Sequence, residues 1–172
     1  MKFSIHIILI SFALLFSQGD AAAEPDDKVV SSDDIAEALE QPKTRGLTRG
    51  IRVHRKAKVD LNIPFELNSS NLARGAEQQL DQLSDALLRD SFESYRFEIA
   101  GHTDASGTAD HNRQLSEQRA ESVKQFLVDK GVSPNRLQSI GYGEDELLLT
   151  DDPRHPDNRR VEIRNLGAIA AE

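Results

Sequence analysis

Between Asn112 and Lys130 the chain places Leu115, Val123, Phe126 and Leu127 at helical spacing, and Arg119 sits inside that apolar stripe. A guanidinium on the buried side of a helix needs a carboxylate. The loop just upstream offers Asp104, directly after an alternating strand pattern in which Tyr95, Phe97 and Ile99 face one way and Arg96, Glu98 and Ala100 the other. The expected arrangement is therefore a strand, a Gly-rich polar loop and a helix, with Asp104 and Arg119 meeting at the strand's end. Such a pocket suits a ligand that carries both an amine and a carboxylate. Two blander readings stand beside it: Asp104 as a loop aspartate that caps its own turn, and the pair as a buried ion bridge with no ligand. The last is compatible with binding, because an Arg held by Asp104 still has donors to turn toward an incoming carboxylate.

Asn112 lies two turns before Arg119 on nearly the same side. Its amide either reaches the pocket or caps the helix. Thr103 and the backbone of Ala105 to Gly107 are further candidate hydrogen-bond partners for a ligand, with Gly107 allowing close approach. His102 is expected to point away as an ordered turn residue. Asn158-Arg159-Arg160 is ambiguous, since consecutive strand residues face opposite sides and only one arginine would support the pocket.

The elements around this segment alternate. Val59, Leu61, Ile63 and Phe65 predict a strand that Pro64 confines to an edge or a bulge. Asn71 is placed to cap a helix whose Leu72, Ala76, Leu80, Leu83 and Leu87 form one stripe to about Arg89. Gly131 suits a left-handed helix end, Ser133-Pro134 starts a helical turn, Leu137, Ile140 and Tyr142 make a third strand, and Val161 and Ile163 mark the last. This order predicts an α+β fold, a two-layer sandwich with a βαβαβ-type core and helices on one face of a small mixed sheet. The acidic loop from Glu144 to Asp157 is expected to be a solvated excursion.

Four short blocks carry a family resemblance: GHTDASG from Gly101, NRQLSEQRAESV from Asn112, RLQSIGYGE from Arg136 and NRRVEI from Asn158. Together, in this order and at these separations, they resemble the signature of the OmpA-like peptidoglycan-binding domain over roughly Val53 to Leu166. The resemblance implies that family's fold and a non-enzymatic function, the binding of peptidoglycan through the diaminopimelate of its stem peptide. It assigns the ligand to Asp104 of the GHTD block and Arg119 of the LSxxRA block. Asn112 and Thr103 are the supporting contacts. No catalytic residue, cofactor or metal is implied.

The N-terminus reads as a secretory signal. Lys2 precedes an apolar run from Phe3 to Phe16 broken only by Ser4, His6 and Ser11, and Ala21-Ala22-Ala23 offers a small-residue cleavage site after Ala23. Residues 1–23 are thus expected to be removed, 24–52 to form a charged linker, 53–166 the domain and 167–172 a short tail. Within the linker, Ser32 is placed to cap a short helix from Asp33 to Gln41 with Ile35, Ala36 and Leu39 on its apolar side. The sequence has no cysteine, which excludes disulfides and an acylated cysteine anchor, and no second long apolar run follows the signal. The expected location is the periplasm of a Gram-negative envelope, with the outer membrane or another envelope protein as possible partner and no transmembrane segment after cleavage. The formal charge of −8 argues against a nucleic-acid partner. That charge is unevenly spread: acids dominate Glu24 to Glu40, whereas Lys43 to Lys58 holds seven basic residues (Lys43, Arg45, Arg49, Arg52, Arg55, Lys56, Lys58) and reads as an exposed basic tether.

One alternative function belongs to a different class. His102, Asp104, Asp110 and His111 are metal-ligand types within one loop, the minimum for a metal-dependent periplasmic hydrolase. Four ligands from so short a loop rarely satisfy a rigid coordination geometry, and no second shell is evident.

Overall fold

The computed structural model describes residues 29–40 and 57–169. Its elements are α1 (Ser32–Leu39), β1 (Lys58–Leu61), α2 (Ala76–Leu87), β2 (Tyr95–His102), α3 (Ala109–Asp129), β3 (Leu137–Gly143) and β4 (Val161–Ala168), with single 3-10 turns at Asp90–Phe92, Pro134–Arg136 and Pro156–Asn158. The strands form one sheet in the order β1-β4-β2-β3, in which β2 and β3 run parallel and the other pairs antiparallel. Parallel neighbours need a crossover, and α3 supplies it.

Strand alternation divides the sheet into two unlike faces. Phe97, Ile99, Leu137, Val161 and Ile163 join the core made with the three helices. Glu98, His102, Tyr142, Glu162 and Arg164 occupy the opposite face, where Arg164 bridges Glu98 at 3.0 Å, Glu162 at 2.6 Å and Glu146 at 2.6 Å. The α+β, two-layer architecture expected from the periodicities is the one observed.

Two glycines set how closely α3 lies on this sheet. Gly101 of β2 and Gly141 of β3 are register partners, and a Cβ on either would collide with the α3 backbone at Ser116 or Glu117. With no side chain between them, α3 rests on the strands' main chain. Its own side chains then complete the bonding of β3, Glu117 accepting from the Gly141 N–H at 2.5 Å and Ser116 Oγ from that of Gly143 at 2.8 Å. At its far end α3 stops where expected, with Gly131 at a φ of 102°.

Several expectations need correction. The helix expected from Asn71 starts instead at Ala76, preceded by Gly75 in the left-handed region. Asn71 is committed elsewhere: its carbonyl accepts from the Glu66 N–H, its amide donates to the Glu66 carboxylate at 3.0 Å, and its neighbour Leu72 forms an isolated bridge with Phe65. A closed turn from Phe65 to Leu72 has replaced both the end of the first strand and the first turn of the helix. β1 accordingly ends at Leu61, before Pro64, which has no N–H to give a ladder.

The segment expected to be a linker contains α1, capped by Ser31 rather than Ser32. Ile35 and Leu39 are fully buried against the domain. The Gln79 side chain bonds both the N–H and the carbonyl of Val30, Gln82 accepts from the Ser32 N–H at 2.9 Å, and the Asn165 amide donates to the Leu39 carbonyl at 2.8 Å. The folded unit therefore includes residues upstream of Val53. It also extends past Leu166, because β4 continues through Ala168. Of the basic block only Lys58 is described, and it lies in β1 with its ammonium 3.1 Å from Glu162. The rest of that block, the signal segment and its cleavage site lie outside the described residues.

Candidate functional site

A groove of about 870 Å³ opens where the β1–α2 turn, the β2–α3 loop, the first half of α3 and the β3–β4 loop converge. Asp104, Arg119, Asn112 and Thr103 all line it. The sequence-predicted residues are thus brought together, although not in the pairing expected.

Asp104 lies two residues past the end of β2 and is buried. Its Oδ1 accepts from the Ser106 N–H at 2.9 Å, and its Oδ2 accepts from Arg159 Nη1 at 2.6 Å. Burial alone would disfavour the charge, but the bonds from Arg159 and Ser106 outweigh it and hold the carboxyl below its ordinary range. The ion pair expected between Asp104 and Arg119 is therefore replaced by one between Asp104 and Arg159. The reason is the start of β4: β4 pairs with β2, and this places the residue before Arg160 against the end of β2.

Arg119 is half-buried, and its Nε donates to the Ser69 carbonyl at 2.9 Å while its guanidinium carbon lies 4.9 Å above the Phe65 ring. Burial and the neighbouring Arg159 both disfavour its charge, and Asp104 partly compensates. A guanidinium nevertheless stays protonated in proteins, so the groove keeps a cation here. Its place in the apolar stripe is explained by a ring and a carbonyl rather than by a carboxylate. Phe65 and Ser69 are the residues that the sequence reading missed, and Arg159 is the one of the two adjacent arginines, left undecided there, that joins Asp104. The spacing of Phe65 and Ser69 offered no signal, since the turn that brings them to α3 is not periodic.

Asn112 is buried, and its amide donates to the Asp104 carbonyl at 3.2 Å and to Glu144 at 2.5 Å. The capping alternative fails, because Thr108 is the cap, its hydroxyl accepting from the His111 N–H. Asn112 instead ties α3 to both loops of the groove. Thr103 anchors its backbone to the Gly143 carbonyl at 2.9 Å, while its buried hydroxyl has no partner among the described residues.

His102 is the last residue of β2, not a turn residue, and its ring stacks on Tyr142 with centroids 5.5 Å apart. Burial first, and then Arg160, push its pKa down to about 4, so the ring is neutral near pH 7. The four residues of the metal alternative do not converge: Asp104 is engaged by Arg159, and His111 contacts Asn68 at 2.9 Å. Among the described residues no group of three or more His, Asp or Glu side chains is arranged to hold a metal ion.

The acidic β3–β4 loop is exposed over most of its length, as expected, but it is tied down rather than free. Glu144 holds Asn112, Asp145 pairs with Arg113, Glu146 pairs with Arg164, and buried Asn158 bonds Leu149 and Asp152 across the loop. Both arginines of Asn158-Arg159-Arg160 are committed, Arg159 to Asp104 and Arg160 to Asp60 at 2.7 Å. The loop is a pinned wall of the groove.

Among the described residues no helix is long and apolar enough to cross a membrane. The chain is 38% identical over 102 residues to a peptidoglycan-associated lipoprotein of Pseudomonas putida, covering 58% of this chain and 60% of that one. It is 34% identical over 107 residues to outer membrane porin F of Pseudomonas fluorescens, covering 61% of this chain and 32% of the porin. It thus spans less than two thirds of the length of either relative. Among solved structures, the peptidoglycan-associated lipoprotein of Burkholderia pseudomallei superposes with a TM-score of 0.51 at 26% identity, over 60% of this chain and 87% of that one. The periplasmic domain of Helicobacter pylori MotB shares the fold, with a TM-score of 0.57 at 22% identity over 69% and 78% of the two chains. The family model described as the OmpA family matches residues 64–161, a segment that runs from the turn beneath Arg119 to the first residue of β4, and the chain belongs to that family.

Proposed function

We propose that this chain is a non-enzymatic peptidoglycan-binding module that recognises the diaminopimelate of the stem peptide. One observation carries the reading: a buried carboxylate, Asp104, and a half-buried guanidinium, Arg119, line one groove without being bonded to each other. Asp104 takes the ligand's ammonium, and the Nη donors of Arg119 take the carboxylate on the same carbon. The Asn112 amide fixes the loop that presents Asp104, and the Thr103 hydroxyl supplies a further polar contact. Opposite charges spaced on rigid elements reject a side chain with an ammonium alone, as in lysine. Likeness to proteins named as peptidoglycan-associated supports the choice of polymer.

Exported by its N-terminal signal, the chain would act in the periplasm, linking the wall to the outer membrane or to an envelope partner. The test is co-sedimentation with purified walls. Diaminopimelate-type walls should retain the protein and lysine-type walls should not; equal retention by both would sink the assignment.

A further inference from the structure

Around Asp104 the groove sets two guanidiniums, Arg119 and Arg159, against one carboxylate, one cation more than an ammonium-carboxylate pair requires, while its third guanidinium, Arg160, is paired with Asp60. Arg159 donates from Nη1 to Asp104, its side chain is 50% exposed, and among the described residues it has no second partner. A guanidinium has five N–H donors, so most of those of Arg159 remain available. Arg119 likewise makes one hydrogen bond among the described residues, through Nε, beside its contact with the Phe65 ring. Arg159 is close enough to Arg119 to disfavour the charge of Arg119. Of the remaining acids lining the groove, Asp60 is paired with Arg160, and Glu66 and Asp157 are exposed, where solvent screens their charge.

Resting on the diaminopimelate reading above, we infer that Arg159 is a second carboxylate contact, so that the groove prefers a stem peptide that ends at its diaminopimelate. In such a stem the far centre of that residue bears an ammonium and a carboxylate, and its near-centre carboxyl is also free. Two carboxylates and one ammonium then face two guanidiniums and Asp104, and every charge has a partner. If the stem continues, the near-centre carboxyl becomes a neutral amide and Arg159 loses its anion. Asp104 does not have to release Arg159 on binding, because a carboxylate offers about four acceptor positions and two are used.

Calorimetry on the full chain tests this with two synthetic probes, γ-D-glutamyl-meso-diaminopimelate with the near-centre carboxyl free and the same dipeptide with that carboxyl amidated. The wild type should bind the free acid about 10- to 100-fold more tightly. Arg159→Gln should bind both probes alike, at the wild-type strength for the amide, and Arg119→Gln should weaken both. Equal binding of the two probes by the wild type would overturn the inference while keeping the diaminopimelate reading, and this comparison needs no variant. A preference for the free acid that survives in Arg159→Gln would also overturn it. A wild type that binds neither probe defeats both the reading and the inference.

Discussion

Asp104 and Arg119 can be removed with little harm to the fold, because each hydrogen-bond partner left behind belongs to an exposed or partly exposed residue that solvent can reach. Arg159 is half exposed and can turn outward once Asp104 is gone. Asp104→Ala and Arg119→Ala should therefore keep their circular dichroism while each costs about 2–5 kcal/mol of wall affinity, roughly thirtyfold to several thousandfold. Sedimentation with walls at the wild-type level by either variant would remove that residue from the site. His102 makes a second claim at this scale. Its folded-state pKa of about 4 lies below the ordinary 6.5, so between those values the unfolded chain binds a proton that the folded chain does not. Stability should thus be complete above pH 6.5 and decline as the pH falls toward 4, by up to about 3 kcal/mol. Urea midpoints measured across that window should fall in the wild type and stay flatter in His102→Gln. The sequence disclosed Asp104 and Arg119 because a charge in a periodic stripe and an acid at a strand's end are local signals. It could not disclose Arg159 as the partner, since that contact depends on β4 arriving beside β2 from 55 residues away.

Among the elements, stripes were legible and boundaries were not. α3 and α2 follow directly from their leucine and valine spacing, yet α2 begins five residues after the cap that Asn71 suggested. A turn closed by Glu66 competes for the same backbone groups, and propensity has no means of weighing that competition. The seat of α3 is the element on which the site depends most. Gly141→Ala should lift the helix from β3, strain the bonds from Glu117 and Ser116, and lower stability by about 1–3 kcal/mol, as overpacking does. Thermal unfolding reports that loss. A midpoint unchanged from the wild type would mean that the helix can shift without cost.

At the scale of the whole molecule, the sheet order and the two unlike faces arise from long-range pairing, of which the sequence offered only the mixed character. The alternation of the last strand does not mark a solvated side: Glu162 is buried and Arg164 partly buried there, joined in an ion pair. The folded unit also reaches further than the family match, since α1 lies upstream of residue 64 and fills the core beside α2. Leu39→Ala should cost about 2–5 kcal/mol, as for any fully buried leucine. A chain started at residue 41 should lose more, through Ile35 and Leu39 together. Chemical denaturation of the two variants decides it, and a truncated chain as stable as the parent would reduce α1 to an ornament.

The direct contact between α3 and the sheet backbone has a bearing on kinetics. Asn112 and, two turns further on, Arg119 are carried by the part of a helix that rests directly on sheet backbone around Ser116, and the opposing loop is tied down at Glu144, Asp145, Glu146 and Asn158. Neither wall can close over a guest, so little main-chain order remains to be gained on binding. Such a groove captures and releases as a fixed mould, and differences in strength between guests will then lie in how long each one stays.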